Sequence, residues 1–95
     1  MTKKRTKDIV VQNRSGLHAR PSTMIVQESQ KYKSDIKLHR GSTVADCRSV
    51  LDLLSLAACN GSEVRLEVIG EDADEAMQSV AALFECRFKE EDESC

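Results

Sequence analysis

The sequence predicts a small α+β protein in which three helices cover one face of an antiparallel sheet. Segments of alternating apolar and polar residues are interspersed with segments of helical periodicity, in the order β-α-β-β-α-β-α. The 95 residues, 40% of them hydrophobic, suffice for one modest core. Internal repeats and low-complexity linkers are lacking from the sequence. We therefore expect one domain over residues 1–95.

The first strand and the first helix are predicted from short local patterns. Residues 9–11 form a β-rich run, and the loop at residues 13–16 leads into a helix expected from about Ala19 to residue 33. Gly16 allows a tight turn of the backbone, and Pro21 is tolerated in a first helical turn. His18 is then expected at the positive end of this helix.

The middle of the chain predicts a hairpin, a short helix and a further strand. Residues 36–39 and 64–68 alternate with period two and predict half-buried strands, and Gly41-Ser42 marks a turn. From residue 50 the period becomes helical, and Asn60-Gly61 predicts a left-handed stop. The apolar face of this second helix comprises Val50, Leu53, Leu54 and Ala57.

The last helix has the clearest pattern. Asp72, followed three residues later by Glu75, is a variant of the capping box. An apolar stripe at helical spacing follows, and it comprises Ala73, Ala76, Met77, Val80, Ala81, Phe84 and Phe88. We expect this stripe to belong to the core.

The charge pattern bears on the termini and on partners. Basic residues cluster before residue 8 and acidic ones over residues 90–93, so we expect flexible tails at about residues 1–6 and 89–95. The formal net charge of −2 argues against a nucleic-acid binder. No apolar run reaches the length of about 18 residues needed for a membrane span, and no signal peptide is recognisable, so we expect a cytoplasmic protein without membrane insertion.

The cysteines and histidines do not predict a metal site. The spacing of Cys47, Cys59, Cys86 and Cys95 shows no C-x-x-C pair, and with the two histidines it matches no zinc pattern. We expect free thiols, no metal and no cofactor. His39 lies at an outward-facing position of its strand, where a surface role is expected.

The run Gly16-Leu17-His18-Ala19-Arg20-Pro21 places an imidazole and a guanidinium two residues apart at a predicted helix start. Free N–H groups and the helix dipole favour an anion there by roughly 0.3–1 kcal/mol. Arg20 adds a forked pair of donors. The cluster suits a phosphoryl group carried on His18, the alternative being a histidine that caps the helix.

These residues resemble the active-site motif of the HPr family, the histidine-containing phosphocarrier proteins of the bacterial phosphoenolpyruvate-dependent phosphotransferase system. The resemblance extends over nearly the whole chain, through Arg48-Ser49-Val50-Leu51 and Asn60-Gly61-Ser62-Glu63-Val64. It implies an open-faced β-sandwich of four antiparallel strands with three helices on one side. It also implies phosphate on Nδ1 of His18, charge stabilisation by Arg20, and an anion site at Gly16, Ala19 and Pro21. Residues 49–54 and 82–84 resemble the nitrogen-related branch of the family.

The resemblance further implies a docking surface for partner enzymes beside the active-site helix. We assign Leu17, Val50, Leu51 and Leu54 to it, and expect Val50 and Leu51 to be partly exposed. Core packing is the alternative for each of these residues, most strongly for Leu53.

Ser49 has two interpretations. Some relatives carry a regulatory serine at the corresponding position, but a serine at a helix start also serves as an N-cap. Asp52 stands where those relatives have glycine, and its charge would repel a phosphoserine.

Three classes of function follow. The first is a phosphocarrier that takes a phosphoryl group from an enzyme I-type phosphotransferase and passes it to a IIA-type acceptor, in sugar uptake or nitrogen-related regulation. It would act as a monomer and hold one phosphate instead of turning over. The second is a regulatory binding module gated by phosphorylation of His18. The third is a small acyl-phosphate hydrolase, which would release phosphate continuously.

Overall fold

A computed structural model describes residues 2–89 of the chain. The elements occur in the order that the sequence predicts. They are β1 (Lys3–Val10), α1 (Ala19–Ser29), β2 (Asp35–Arg40), β3 (Thr43–Asp46), α2 (Val50–Ser55), β4 (Glu63–Gly70) and α3 (Ala73–Glu85), followed by a 3-10 turn (Arg87–Lys89).

The four strands form one antiparallel sheet in the order β1-β4-β2-β3. In β2 and β4 every second side chain is buried, and Leu38 pairs with Leu66 and Ile36 with Val68 at the centre of the core. The helices pack on this buried face, while the opposite face carries polar side chains. The predicted α+β open-faced sandwich is therefore confirmed.

The first strand begins at Lys3, so the prediction of a strand limited to residues 9–11 and of a flexible tail over residues 1–6 is wrong for residues 3–6. This strand pairs with β4 along its whole length, from Lys3 opposite Gly70 to Val10 opposite Glu63. The backbone ladder orders a segment whose side chains show no apolar alternation. The other predicted tail is mostly residues 90–95, which lie outside the described part of the chain.

Charged side chains replace apolar ones on the helix-facing side of β1. Arg5 Nε lies 2.8 Å and Lys3 Nζ 3.3 Å from the carboxylate of Asp74 in α3. Lys7 Nζ lies 3.3 Å from Glu85 Oε2 at the other end of that helix. These ion pairs explain why the strand has no signature in hydrophobic periodicity.

Asp72 holds a neighbouring segment instead of capping α3. Its carboxylate accepts bonds from Lys33 N at 2.8 Å, from Ser34 N at 3.0 Å and from Ser34 Oγ, and it makes no side-chain bond to its own helix. The prediction of a capping box is therefore wrong. The hydroxyl bond from Ser34 is the main reason that the pKa of Asp72 lies below its usual range. The first helix ends at Ser29 and not near residue 33 as predicted, and the N–H groups of residues 33 and 34 donate to Asp72 instead of continuing the helix.

The second helix ends earlier than predicted. Ala57 adopts the left-handed conformation with φ 51° directly after the C-cap Leu56, so Ala57 terminates α2 and not Asn60-Gly61. Arg40 donates from a guanidinium nitrogen to Leu56 O at 3.0 Å and satisfies a carbonyl at this helix end.

The apolar stripe of α3 is core, as predicted. Its buried members are Ala73, Ala76, Val80, Ala81 and Phe84, and Met77 is partly buried. Phe88 is also buried, but it lies beyond the helix, in a left-handed turn with φ 54° that brings its ring edge-on to Phe84 at 5.0 Å. Within residues 2–89, no helix is long and apolar enough to cross a membrane.

Candidate functional site

His18 stands immediately before α1, with its backbone extended (φ −86°, ψ −163°). It occupies the N-cap position, but its side chain makes no capping bond to the helix, which argues against the capping-histidine alternative. His18, Ala19 and Arg20 are all exposed. The predicted cluster of an imidazole and a guanidinium at a helix start is therefore open to solvent and to a partner.

The backbone around His18 leaves donors for an anion. The first intrahelical bond runs from Ser22 N to His18 O at 3.1 Å. The N–H groups of Ala19 and Arg20 precede it and have no acceptor within the helix, and Pro21 carries no N–H. Pro21 is buried and contributes packing. Together with the helix dipole, these two amides suit the oxygens of a phosphoryl group.

Gly16 lies in a turn whose backbone angle and close contacts leave no room for a side chain. Its φ is 68°, and a Cβ built there would lie 2.4 Å from Ala58 O and 2.7 Å from Cys59 Cα. Its N–H is donated to Asn13 O at 3.2 Å. The assignment of Gly16 to the anion site is therefore corrected: Gly16 shapes the loop, and the amides that suit an anion come after it.

Two loops build this end of the molecule, and we name them the active loop (residues 11–18) and the supporting loop (residues 57–62). Leu17 N donates to Ala58 O at 2.9 Å, and Gly61 N donates to Val11 O at 2.7 Å. Val11 N in turn donates to Ser62 O at 2.9 Å. The backbone of the active loop is thus tied to the supporting loop near both of its ends.

Two asparagine side chains bond to the backbone of the active loop. The buried Asn13 donates from Nδ2 to Gly16 O at 2.6 Å, within the active loop. Asn60 donates from Nδ2 to Gln12 O at 3.1 Å and to Asn13 O at 3.2 Å, across the loops. No local pattern predicts this contact, because it joins residues 47 and 48 positions apart.

Leu17 is not part of an exposed docking surface. Its side chain is only 4% exposed and belongs to the core, while its N–H is bonded to the supporting loop. The assignment of Leu17 to partner docking is therefore wrong. The sequence did not predict this burial, because Leu17 precedes an exposed histidine and only the path of the loop turns its side chain inward.

The second helix presents the remaining docking candidates. Leu51 is 76% exposed and Leu54 is 38% exposed, whereas Leu53 is fully buried and Val50 is half-buried. This helix packs against α1. An apolar surface formed by Val50, Leu51 and Leu54 therefore lies next to the helix that His18 begins.

Ser49 is the N-cap of α2. Its Oγ accepts a bond from Asp52 N at 3.2 Å, as one of the two interpretations predicted. The Asp52 carboxylate accepts from Asp46 N at 3.2 Å. A carboxylate therefore belongs to the same turn as the Ser49 hydroxyl.

His39 lies on the open face of the sheet, on a different part of the fold from His18. Its Nε2 is 2.8 Å from Glu67 Oε1, and this bond is the main reason that the pKa of Glu67 lies below its usual range. On the same face, Arg65 pairs with Asp8 at 2.7 Å. A shallow concavity there is lined by these four residues among others, and by Lys4, whose Nζ lies 3.4 Å from Glu67 Oε2.

The thiols differ in their surroundings. Cys47 is fully buried, and burial raises the pKa of its thiol to about 12. Cys59 is exposed and Cys86 is half-buried, whereas Cys95 lies outside the described residues. Over residues 2–89, no group of three or more His, Cys, Asp or Glu side chains is placed to hold a metal ion.

Comparison with protein families gives a match over most of the chain. The family model described as the phosphorylation site of the HPr component of the phosphotransferase system matches residues 5–86. The phosphocarrier protein HPr of Treponema pallidum is 38% identical over 85 residues, which cover 90% of this chain and 97% of that protein. The HPr-like protein Crh of Bacillus subtilis is 38% identical over 74 residues, 78% of this chain and 87% of that protein.

Solved structures give the same result. HPr-C-His from Thermoanaerobacter tengcongensis superposes with a TM-score of 0.87 at 32% identity, covering 92% of this chain and 98% of that one. A phosphocarrier protein HPr from Bacillus anthracis superposes with a TM-score of 0.81 at 31% identity, covering 85% and 96%. Both the sequence and the fold of this chain are thus similar to those of HPr and HPr-like proteins.

Proposed function

Because the chain belongs to the HPr family of phosphocarrier proteins of the phosphotransferase system, we propose that it accepts a phosphoryl group on His18 from an enzyme I-type phosphotransferase and passes it to a IIA-type acceptor. The observation that carries this proposal is the exposed imidazole of His18 at the start of α1, inside the matched phosphorylation site. A helix start beneath an exposed histidine favours the anion that the reaction creates.

The chemistry needs few groups. A nitrogen of the neutral His18 ring, Nδ1 by analogy with the family, attacks phosphorus, and the bond from phosphorus to the donor breaks as the new N–P bond forms. The amides of Ala19 and Arg20 receive phosphate oxygens, and the Arg20 guanidinium offsets their charge. In the second transfer a nucleophile of the acceptor attacks the same phosphorus and the N–P bond breaks. The His18 ring, protonated on its other nitrogen, is a good leaving group and departs as the neutral imidazole. The protein contributes positioning and charge, and it holds one phosphate per chain.

The partner enzymes are proposed to dock on the apolar surface of Val50, Leu51 and Leu54. Leu51, at 76% exposed, is the member whose burial against a partner would remove most apolar area from water. An interface centred on so few residues fits a transient encounter at the small end of the usual range. A binding module gated by phosphorylation of His18 would use the same surface, and it is the second function that the exposed leucines favour.

The experiment is incubation with phosphoenolpyruvate and the cognate enzyme I, followed by intact mass. We expect one added phosphoryl group that is lost in acid and survives alkali, and no label on His18→Ala. Arg20→Ala should transfer more slowly with its fold intact, since a charge-assisted bond is worth about 1.5–3 kcal/mol.

Three results would contradict this function. Stoichiometric labelling of His18→Ala, or an acid-stable label, would exclude a phosphohistidine. Continuous release of inorganic phosphate would instead support the acyl-phosphate hydrolase. Labelling with retention of the phosphate, followed by transfer to a sugar-branch or a nitrogen-branch IIA protein, would identify the pathway.

We further propose that the protein acts in the cytoplasm as a monomer, with β1 paired to β4 of its own chain.

A further inference from the structure

Asn60 contacts the active loop through its side chain. One nitrogen, Nδ2, donates to two successive carbonyl oxygens, those of Gln12 and Asn13, at 3.1 and 3.2 Å. Asparagine before glycine is common in turns because it tolerates unusual backbone angles. That explanation covers the backbone of Asn60 but not the direction of its carboxamide, which reaches a loop 47 residues away in sequence.

The contact lies where the backbone bonds between the loops do not reach. Those bonds fix Val11 at one end of the active loop and Leu17 at the other. Asn60 fixes the segment between them. Since Asn13 O also accepts from Gly16 N at 3.2 Å, the carboxamide of Asn60 bonds directly to a carbonyl that shapes the turn before His18.

A short series of bonds therefore connects Asn60 to the reacting residue. Asn60 Nδ2 bonds to Asn13 O, and Asn13 is bonded to Gly16 through both its backbone carbonyl and its Nδ2. Gly16 precedes Leu17 and His18. We infer that Asn60 is a positioning residue for phosphoryl transfer: from the supporting loop, its carboxamide fixes the active loop so that the His18 ring is presented in the reactive orientation. This inference rests on the proposed function.

The expected effect is on the rate and not on docking. Misplacing a reacting group by about 1 Å can reduce a rate by about 100-fold, because transfer needs the nitrogen in line with the bond that breaks. Asn60 donates to backbone carbonyls of the active loop and does not belong to the apolar surface on α2. Its loss should therefore lower kcat while leaving the KM for the protein nearly unchanged.

The test compares Asn60→Ala with Ser62→Ala in the full chain, with enzyme I and phosphoenolpyruvate as the phosphoryl source. Ser62 Oγ accepts from Cys59 N at 2.9 Å, so its loss removes a bond of the same supporting loop that does not involve the active loop. We expect Asn60→Ala to lower kcat by about tenfold or more at a KM within about twofold of the unsubstituted protein. Ser62→Ala should change kcat and KM by no more than about twofold, although the loss of its bond lowers the melting temperature. Asn60→Gln keeps the carboxamide and should recover most of the rate.

A second readout does not depend on phosphoryl transfer. In nitrogen-15 NMR spectra of the unphosphorylated protein, Asn60→Ala should displace the ring resonances of His18, whereas Ser62→Ala should not. If the unsubstituted chain accepts no phosphoryl group but these resonances move, the proposed function fails, and what stands is only that Asn60 orients the His18 ring. Should Asn60→Ala fail to fold, Asn60→Ser takes its place, since a serine hydroxyl is too short to reach either carbonyl.

Three outcomes would overturn the inference. The first is a wild-type kcat together with unmoved His18 resonances in Asn60→Ala. The second is equal slowing by Asn60→Ala and Ser62→Ala, which would indicate a general loosening of the supporting loop. The third is a rise in KM at constant kcat, which would assign Asn60 to partner binding.

Discussion

Replacing Gly16 by alanine tests the close approach of the two loops. A non-glycine residue in the left-handed conformation costs roughly 1–2 kcal/mol, and Gly16 has φ 68°. The added Cβ would also lie 2.4 Å from Ala58 O, a backbone atom that moves only if the supporting loop moves. Overpacking of this kind costs about 1–3 kcal/mol. We therefore expect Gly16→Ala to lower the free energy of unfolding by about 2–4 kcal/mol, after a small offset from the stiffer unfolded chain.

Gly41→Ala is the matched control. Gly41 has a similar φ of 59°, but nothing lies within 4 Å of a Cβ built there. It should lose about 1 kcal/mol or less, since only the backbone term remains.

Urea denaturation with a common m-value gives both free energies, and the melting temperatures should differ by about 4–8 °C for each kcal/mol between the variants. Equal losses in Gly16→Ala and Gly41→Ala would refute the reasoning, because they would mean that the loops do not meet at Gly16 in solution. Gly16→Ala should also slow phosphoryl transfer to His18 at temperatures where the variant is still folded.

Three further predictions concern residues outside the active loop. The bond from Ser34 lowers the pKa of Asp72, so the carboxylate stabilises the fold above the unfolded pKa of about 3.9 and loses this effect as the pH falls through the lower folded value. In urea titrations at a series of pH values, Asp72→Asn should therefore reduce the fall in the free energy of unfolding at acid pH. An unchanged fall at acid pH would contradict this prediction. Leu51→Glu should lower phosphoryl transfer from enzyme I by about tenfold or more while stability stays within about 0.5 kcal/mol, and a collapse of the melting temperature would mean that Leu51 is core. Ser49 should be a poor substrate for an HPr kinase, because its hydroxyl caps α2 and Asp52 adds negative charge to the same turn; efficient labelling in a kinase assay would reverse this conclusion.

The sequence predicted those parts of the molecule whose pattern is local. The order of elements, the hairpin at Gly41, the Ser49 cap and the stripe of α3 each follow from spacings of a few residues, and each is present in the structure. His18 at a helix start was predictable for the same reason.

Contacts between distant segments were not predictable in this way. Residues 3–6 belong to a strand because β4 offers a partner and α3 offers carboxylates, and neither fact is visible in residues 3–6 themselves. The sequence predicts Asp72 as a cap for the helix that follows it, yet its acceptors are used by Lys33 and Ser34. The sequence predicts a helix stop at Asn60, a role that belongs to Ala57, and it does not reveal the contact of Asn60 with the active loop. In each case the residue type indicates that the side chain makes polar contacts, whereas the fold determines which residue it contacts.

The charged side chains of β1 also affect whether the edge of the sheet can pair with another chain. It is an edge of the sheet, eight residues long, and such an edge is ordinarily a template for pairing with another chain. Lysine and arginine at positions 3, 4, 5 and 7 make a second copy of the strand an unfavourable neighbour, since two such edges would bring like charges together. The opposite edge, β3, is only four residues long. Both edges of the sheet are thus protected against edge-to-edge aggregation.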